Sequence, residues 1–341
     1  MPVKRVGATL RFWDKAMAIL SRVTAILACL PALAIHGQPT QVSSPVVGYV
    51  FDGAALRVIA GVPGGATLGG AIDLGLAASA VAVSPQLDSA VVTANDGSLH
   101  LFRLGGSSAT EVWWNGLPSA PARAVYSPSG KAAAVYASGR VQVFTGLPTA
   151  PLLAFAAELG LSKAEPGRKP ASAAPEAMAL SDDAAWLLVA SDGRLRLLGA
   201  SASSSWLLDG VRDVSVAFAS GSHTAAVLSG AGPWLDVYPD VSAGSWQQRI
   251  AAPGLAAPAG LAFSADGKLV LAAARSGKSV TIFNLAAAGA ATTLVCNCAP
   301  TGVARMGSLF RLTDAGSGPV WLVDAAANPP RIVFVPARAN Q

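Results

Sequence analysis

One pattern returns along the 341-residue chain, within the ~20–50-residue periods that mark stacked structural repeats. An apolar or small segment ends in Ser, and a polar turn leads to a second apolar segment. A Gly-containing turn, a third segment of alternating character and a variable fourth complete the unit. The clearest copy begins Gly260-Leu261-Ala262-Phe263-Ser264-Ala265-Asp266-Gly267-Lys268 and continues through residues 269–274, Arg275-Ser276-Gly277-Lys278 and 279–285. Residues 80–104, 124–144 and 177–198 repeat it, 214–238 and 303–335 are looser copies, and a shorter seventh begins at Gly48-Tyr49-Val50-Phe51-Asp52-Gly53.

Such a repeat constrains the fold strongly. Apolar positions recur at period 2, as at Val141 and Val143 around Gln142, or Val280 and Ile282 around Thr281, which is the periodicity of strands and not of helices. The Asp-Gly and Ser-Gly pairs between these segments tolerate the positive φ that tight hairpins require. One small sheet cannot bury both of its faces, whereas radial packing of sheets does so and leaves only short edges. The sequence therefore predicts an all-β chain, a β-propeller of about seven four-stranded blades, with six blades plus an N-terminal hairpin as the alternative. The third and fourth strands of the first blade fall somewhere in residues 66–76 and are poorly marked.

The run Leu261-Ala262-Phe263-Ser264-Ala265-Asp266-Gly267-Lys268, followed by Leu269-Val270-Leu271-Ala272-Ala273-Ala274, resembles the bacterial YVTN-type, WD40-like propeller repeat, in which an FSPDG-like turn precedes an LYVAN-like strand. Ser84-Pro85 and Ser127-Pro128 keep part of that turn in other copies. The resemblance extends over about residues 45–337 and implies a fold, not an activity. The repeats carry no Trp-Asp dipeptide of the WD40 kind. Lactonases of the YVTN-like propeller class are the enzymatic relatives that the resemblance suggests.

The N-terminus reads differently. Lys4, Arg5, Arg11, Lys15 and Arg22 precede or interrupt an apolar run that ends in the small-x-small triplet Ala32-Leu33-Ala34, the order of a secretory signal. The expected organisation is a signal peptide over 1–34, a linker over 35–45, the propeller over 46–337 and a tail over 338–341. The expected location is extracytoplasmic, periplasmic or secreted, with an inner-membrane anchor by an uncleaved signal as the alternative. Those five cations and Asp14 give the leader a net +4, so the formal +5 of the chain falls to +1 without it. The remainder has no Lys/Arg cluster fit to track a phosphate backbone, which argues against nucleic acid. It also has no apolar stretch long enough to span a membrane after cleavage.

Catalytic constellations are sparse in the sequence. Only four Glu occur (Glu111, Glu158, Glu165, Glu176), too few for the converging carboxylates of a propeller glycosidase. Ser264-Ala265-Asp266-Gly267 lacks the spacing and the Trp of a sialidase Asp box. His100 and His223 are isolated, so no metal or cofactor site is expected. Cys296-Asn297-Cys298 reads as a disulfide, two free thiols or half of a metal site; a regular strand holds alternate residues too far apart for a bridge, and a turn or bulge would permit one. Eight Trp serve chiefly as packing between blades. Trp113 and Trp114 point to opposite faces, so one of the two is expected to be exposed. The polar insertion over 163–175 is a solvated loop and a candidate partner contact.

The turns between second and third strands carry Asp96, Arg140, Asp192, Arg194, Arg275 and Lys278 toward one face of the ring. If an axial mouth takes a ligand, these polar groups are the ones to meet it, and their positive excess suits a protein partner or a small anion. Two functions follow from different classes. The first is an exported, non-catalytic binding scaffold in the bacterial cell envelope. The second is a lactonase-like or other small-molecule hydrolase, which requires acid, base and cation groups around the axis.

Overall fold

The structure is a computed structural model that describes residues 45–159 and 174–337, apart from 202, 233, 244–246, 256, 276 and 313–317. The proposed signal and nearly all of the 163–175 insertion lie outside the described residues. The rest forms seven antiparallel sheets, each with its strands in chain order. Their innermost strands are Val46–Phe51, Ala78–Val83, Arg123–Tyr126, Ala177–Leu180, Ser215–Phe218, Pro258–Phe263 and Ala304–Met306, which define blades 1 to 7. Each inner strand touches the next, and that of blade 7 touches that of blade 1, so the ring closes. Blades 2 to 7 are four-stranded, and blade 1 has three described strands. Its third strand is Thr67–Ala71, inside the window the sequence left poorly marked.

The core is divided as the repeat demands. Seven buried apolar clusters form, each shared between two adjacent blades. The last combines Val47, Val50 and Ile59 of blade 1 with Met306, Leu322 and Val335 of blade 7, so the closing interface is built like the others. Trp114 is buried between blades 2 and 3 with its ring edge-on to Phe144 at 4.8 Å, while Trp113 is 82% exposed. The alternation expected of that pair is what the structure shows.

The recurring Ser has a local reason. Ser84, Ser127, Ser181 and Ser264 end the inner strands of blades 2, 3, 4 and 6, and the first three are fully buried. In blade 6 the backbone of Ser264 pairs with the Leu269 carbonyl at 2.9 Å, and its Oγ accepts the Leu269 N–H at 2.9 Å while donating to Asp266 at 2.6 Å. One hydroxyl thus satisfies an N–H inside the turn and fixes the carboxylate that caps it. Blade 4 repeats this with Ser181, Trp186 and Asp183. Blade 5 has Ala219 in that place and keeps only the backbone bond, to Thr224, which is why its copy reads as loose.

Candidate functional site

The direction of the strands gives the ring two faces. One holds the serine turns, between first and second strands. The other holds the turns between second and third strands together with the connections that lead from blade to blade. A channel runs along the axis, bounded by inner strands from all seven blades.

The body of the channel is a cavity of about 360 Å³. Its wall is mostly Ala, Val, Leu, Met, Phe and Pro, interrupted by Tyr49, Tyr126, Arg305 and Arg311. Among the described residues, no Asp or Glu lines it. Burial pushes the Tyr126 phenol well above its ordinary pKa, against a weak contact of 3.4 Å to the Ser89 hydroxyl, and keeps it protonated.

The serine-turn end is crossed by Arg305. This residue of blade 7 donates through Nη2 to the Pro128 carbonyl of blade 3 and through Nη1 to the Gly307 carbonyl at 3.4 Å. The Gly307 N–H reaches the Pro85 carbonyl of blade 2 at 2.9 Å, so blade 7 is tied to two blades that are not its neighbours. Desolvation lowers the Arg305 pKa from its ordinary value, and the charge of Asp182 works the other way. Asp182, in the blade 4 turn, accepts the Gly221 N–H at 2.7 Å and the Ser220 hydroxyl at 2.9 Å from blade 5, and the Ser129 N–H from blade 3. Burial opposes the charge of its carboxyl, but these donors outweigh that cost and hold its pKa below the usual carboxylate value.

At the opposite end the channel opens into a mouth of about 560 Å³ with a charged rim. Arg123 starts the inner strand of blade 3, Arg212 and Asp213 lie in the connection into blade 5, Arg275 follows the second strand of blade 6, and Glu176 precedes blade 4. Arg123 donates to the Glu176 carbonyl at 2.8 Å, and desolvation lowers its pKa below the ordinary arginine value. Among the described residues, the Arg212 and Arg275 guanidiniums form no ion pair or hydrogen bond. Mouth and cavity share Met178, Val216, Leu261 and Val303, so the charged rim leads directly into the apolar wall.

Of the six turn residues singled out by sequence, only Arg275 lines this mouth. Arg140 pairs with Glu158 at 3.5 Å and Arg194 with Asp209 at 3.1 Å, both on outer strands. The Arg194 guanidinium also lies 4.9 Å from the Trp206 ring centre, and that of Arg196 lies 4.0 Å from it. Asp96 accepts the Ser98 N–H at 2.8 Å and the Ser98 hydroxyl at 2.6 Å, and these bonds hold its pKa below the ordinary value. Asp192 and Lys278 take positive φ (52° and 44°) within their turns, and the Lys278 carbonyl accepts the Cys296 N–H at 2.8 Å. Arg123, Arg212, Glu176 and Asp213 escaped the sequence reading because they lie at strand starts and in connections, which no turn signature marks.

Cys296 and Cys298 form a disulfide, with their Cα atoms 5.1 Å apart. They follow the outer strand Ala290–Val295 of blade 6, where the extended backbone has ended, and so avoid the spacing that would prevent a bridge within a strand. Both are buried between blades 6 and 7.

Blade 2 carries a chain of side chains that resembles an acyl-transfer relay. Ser98 Oγ is 2.7 Å from His100 Nε2, and His100 Nδ1 is 2.6 Å from Glu111 Oε1. Ser98 Oγ also lies 2.6 Å from Asp96 Oδ1, however, and neither Ser98 nor His100 lines the channel or its mouth. The chain acts as a clasp on an exposed hairpin. His223 plays a similar part between blades 4 and 5, 2.8 Å from Asp183. Among the described residues, no group of three His, Cys, Asp or Glu is placed to hold a metal ion.

No protein-family model and no curated protein sequence matches the chain. Solved structures share its fold. One is a chain in the crystal structure of a nidogen/laminin complex, at 15% identity and a TM-score of 0.51, covering 71% of this chain and 91% of that one. Another is Sqt1 of Saccharomyces cerevisiae, at 10% identity and a TM-score of 0.52, covering 86% of each. At these identities the likeness concerns the fold alone, and fold and ring geometry together define this protein as a seven-bladed β-propeller.

Proposed function

We propose that the protein is a non-catalytic binding scaffold, exported to the bacterial cell envelope, whose contact surface is the face around the charged mouth. The observation that carries this reading is the rim itself. Arginines from three parts of the ring converge on one opening, and two of them have no partner among the described residues. Unpaired guanidiniums at a concave rim favour acidic groups, and arginine suits carboxylates because it offers a planar fork of donors. The fold supports the scaffold reading, since one of the similar structures is part of a protein complex. The basic N-terminal leader ending in Ala32-Leu33-Ala34 supports export.

An acidic probe tests the contact surface. A fluorescent hexaglutamate peptide is expected to bind the wild type in a salt-sensitive manner and the Arg212→Ala/Arg275→Ala variant at least about tenfold more weakly. Arg103→Ala, on the third strand of blade 2, is expected to bind as the wild type does. Equal binding by all three proteins rules out the rim as the contact surface. Export is tested separately by N-terminal sequencing of the secreted protein, expected to begin at Ile35, directly after Ala34. A chain that still begins at Met1 in the membrane fraction removes the cleaved-signal reading.

A further inference from the structure

We infer that the axial channel is a pocket entered from the basic rim, and that it takes a small amphiphile with one carboxylate and an apolar tail. The inference rests on the proposed reading of the rim as an anion-binding surface and adds what lies behind it. A site for a simple anion has no need of an apolar interior, and a site for a simple hydrocarbon has no need of unpaired arginines at its entrance. Here the two occur in series. The rim carries Arg212 and Arg275 free of partners among the described residues, and the wall they share with the interior is Met178, Val216, Leu261 and Val303.

The far end is narrowed by a side chain that reaches across it. Arg305 crosses the channel at the serine turns, where its guanidinium reaches the Pro128 and Gly307 carbonyls. A cavity of about 360 Å³ is at the small end of ligand pockets, which run from ~300 to ~1,000 Å³. It therefore fits one short alkyl or aryl tail. Arg305 and Arg311 in the wall disfavour a cationic ligand, and the rim selects the sign of the head group.

Titration calorimetry with octanoate tests the proposal. Octanoate is expected to bind the wild type in a saturable way, at least ~50-fold more tightly than acetate, which has the head without the tail. Octyltrimethylammonium, with the tail and the opposite charge, is expected to bind as weakly as acetate. Arg212→Ala/Arg275→Ala is expected to lose at least ~10-fold for octanoate. Ala82→Leu and Ala124→Leu narrow the wall without touching the rim, and are expected to lose octanoate while still binding hexaglutamate. Each is accepted as a test only with a wild-type unfolding midpoint, and having both guards against one failing to fold. The proposal is overturned if octanoate binds no better than acetate, if the ammonium binds equally well, or if a folded wall variant binds octanoate like the wild type. Hexaglutamate binding that persists and depends on the arginines then leaves the rim reading standing, and its loss removes both.

Discussion

Replacing Asp182 by alanine is expected to lower the unfolding free energy by about 3 kcal/mol, measured by urea denaturation at pH 7. Its carboxylate receives three donors from two other blades, and hydrogen bonds to a charged group contribute about 1.5–3 kcal/mol each before water takes over part of the role. The effect also has a pH signature. The folded carboxyl titrates below its ordinary value of 3.8, so the stabilisation it supplies is fully present above that value and is lost as the pH falls through the folded pKa. The gap between wild type and variant should therefore be constant near neutrality and close in acid. A gap that widens with falling pH, or a loss under about 0.5 kcal/mol at pH 7, removes Asp182 as the tie between blades 3, 4 and 5.

Gly260→Ala is expected to cost about 3 kcal/mol, at the upper end of overpacking penalties. A Cβ at this position would lie 2.3 Å from the Val303 backbone nitrogen and 2.9 Å from the Gly302 carbonyl carbon. These are main-chain atoms of the neighbouring blade, so no side chain can swing aside. The inner strands of blades 6 and 7 must part, and the cluster between them, with Leu271, Phe310 and Val323, opens with them. Calorimetry showing an unchanged midpoint would mean that the two strands do not approach this closely. Gly260, Gly302 and Val303 also line the mouth, so the variant should weaken hexaglutamate binding even where it folds.

Most of the ring was legible because its determinants are local. The buried Ser and its capping Asp sit within one turn, and the period-2 alternation that follows is carried by adjacent residues. Blade 1 was harder to read because its third strand contains Gly69-Gly70, which interrupts the alternation. The candidate site was legible only in part, because its members come together through the ring and not through the chain. Asp182 looks like any turn aspartate until Ser129 and Gly221 arrive from either side. Arg140 and Arg194 look free in their turns. Their partners Glu158 and Asp209 are brought opposite by outer strands whose register shifts at a bulge after Val143 and after Leu195, and neither bulge has a sequence mark. Arg305 binds a carbonyl on the far side of the channel, a relation no spacing along the chain encodes.

Among the described residues, every blade is woven from one uninterrupted stretch of chain, and none borrows a strand from the other end. The boundary between blade 7 and blade 1 is therefore an ordinary interface that happens to lack a linking peptide. Bridging residue 337 to residue 45 and cutting the backbone instead within residues 210–214 would relocate that gap while preserving every sheet. Under mechanical tension such a molecule should surrender its sheets one after another from the loose ends, because no shared strand latches the circle shut.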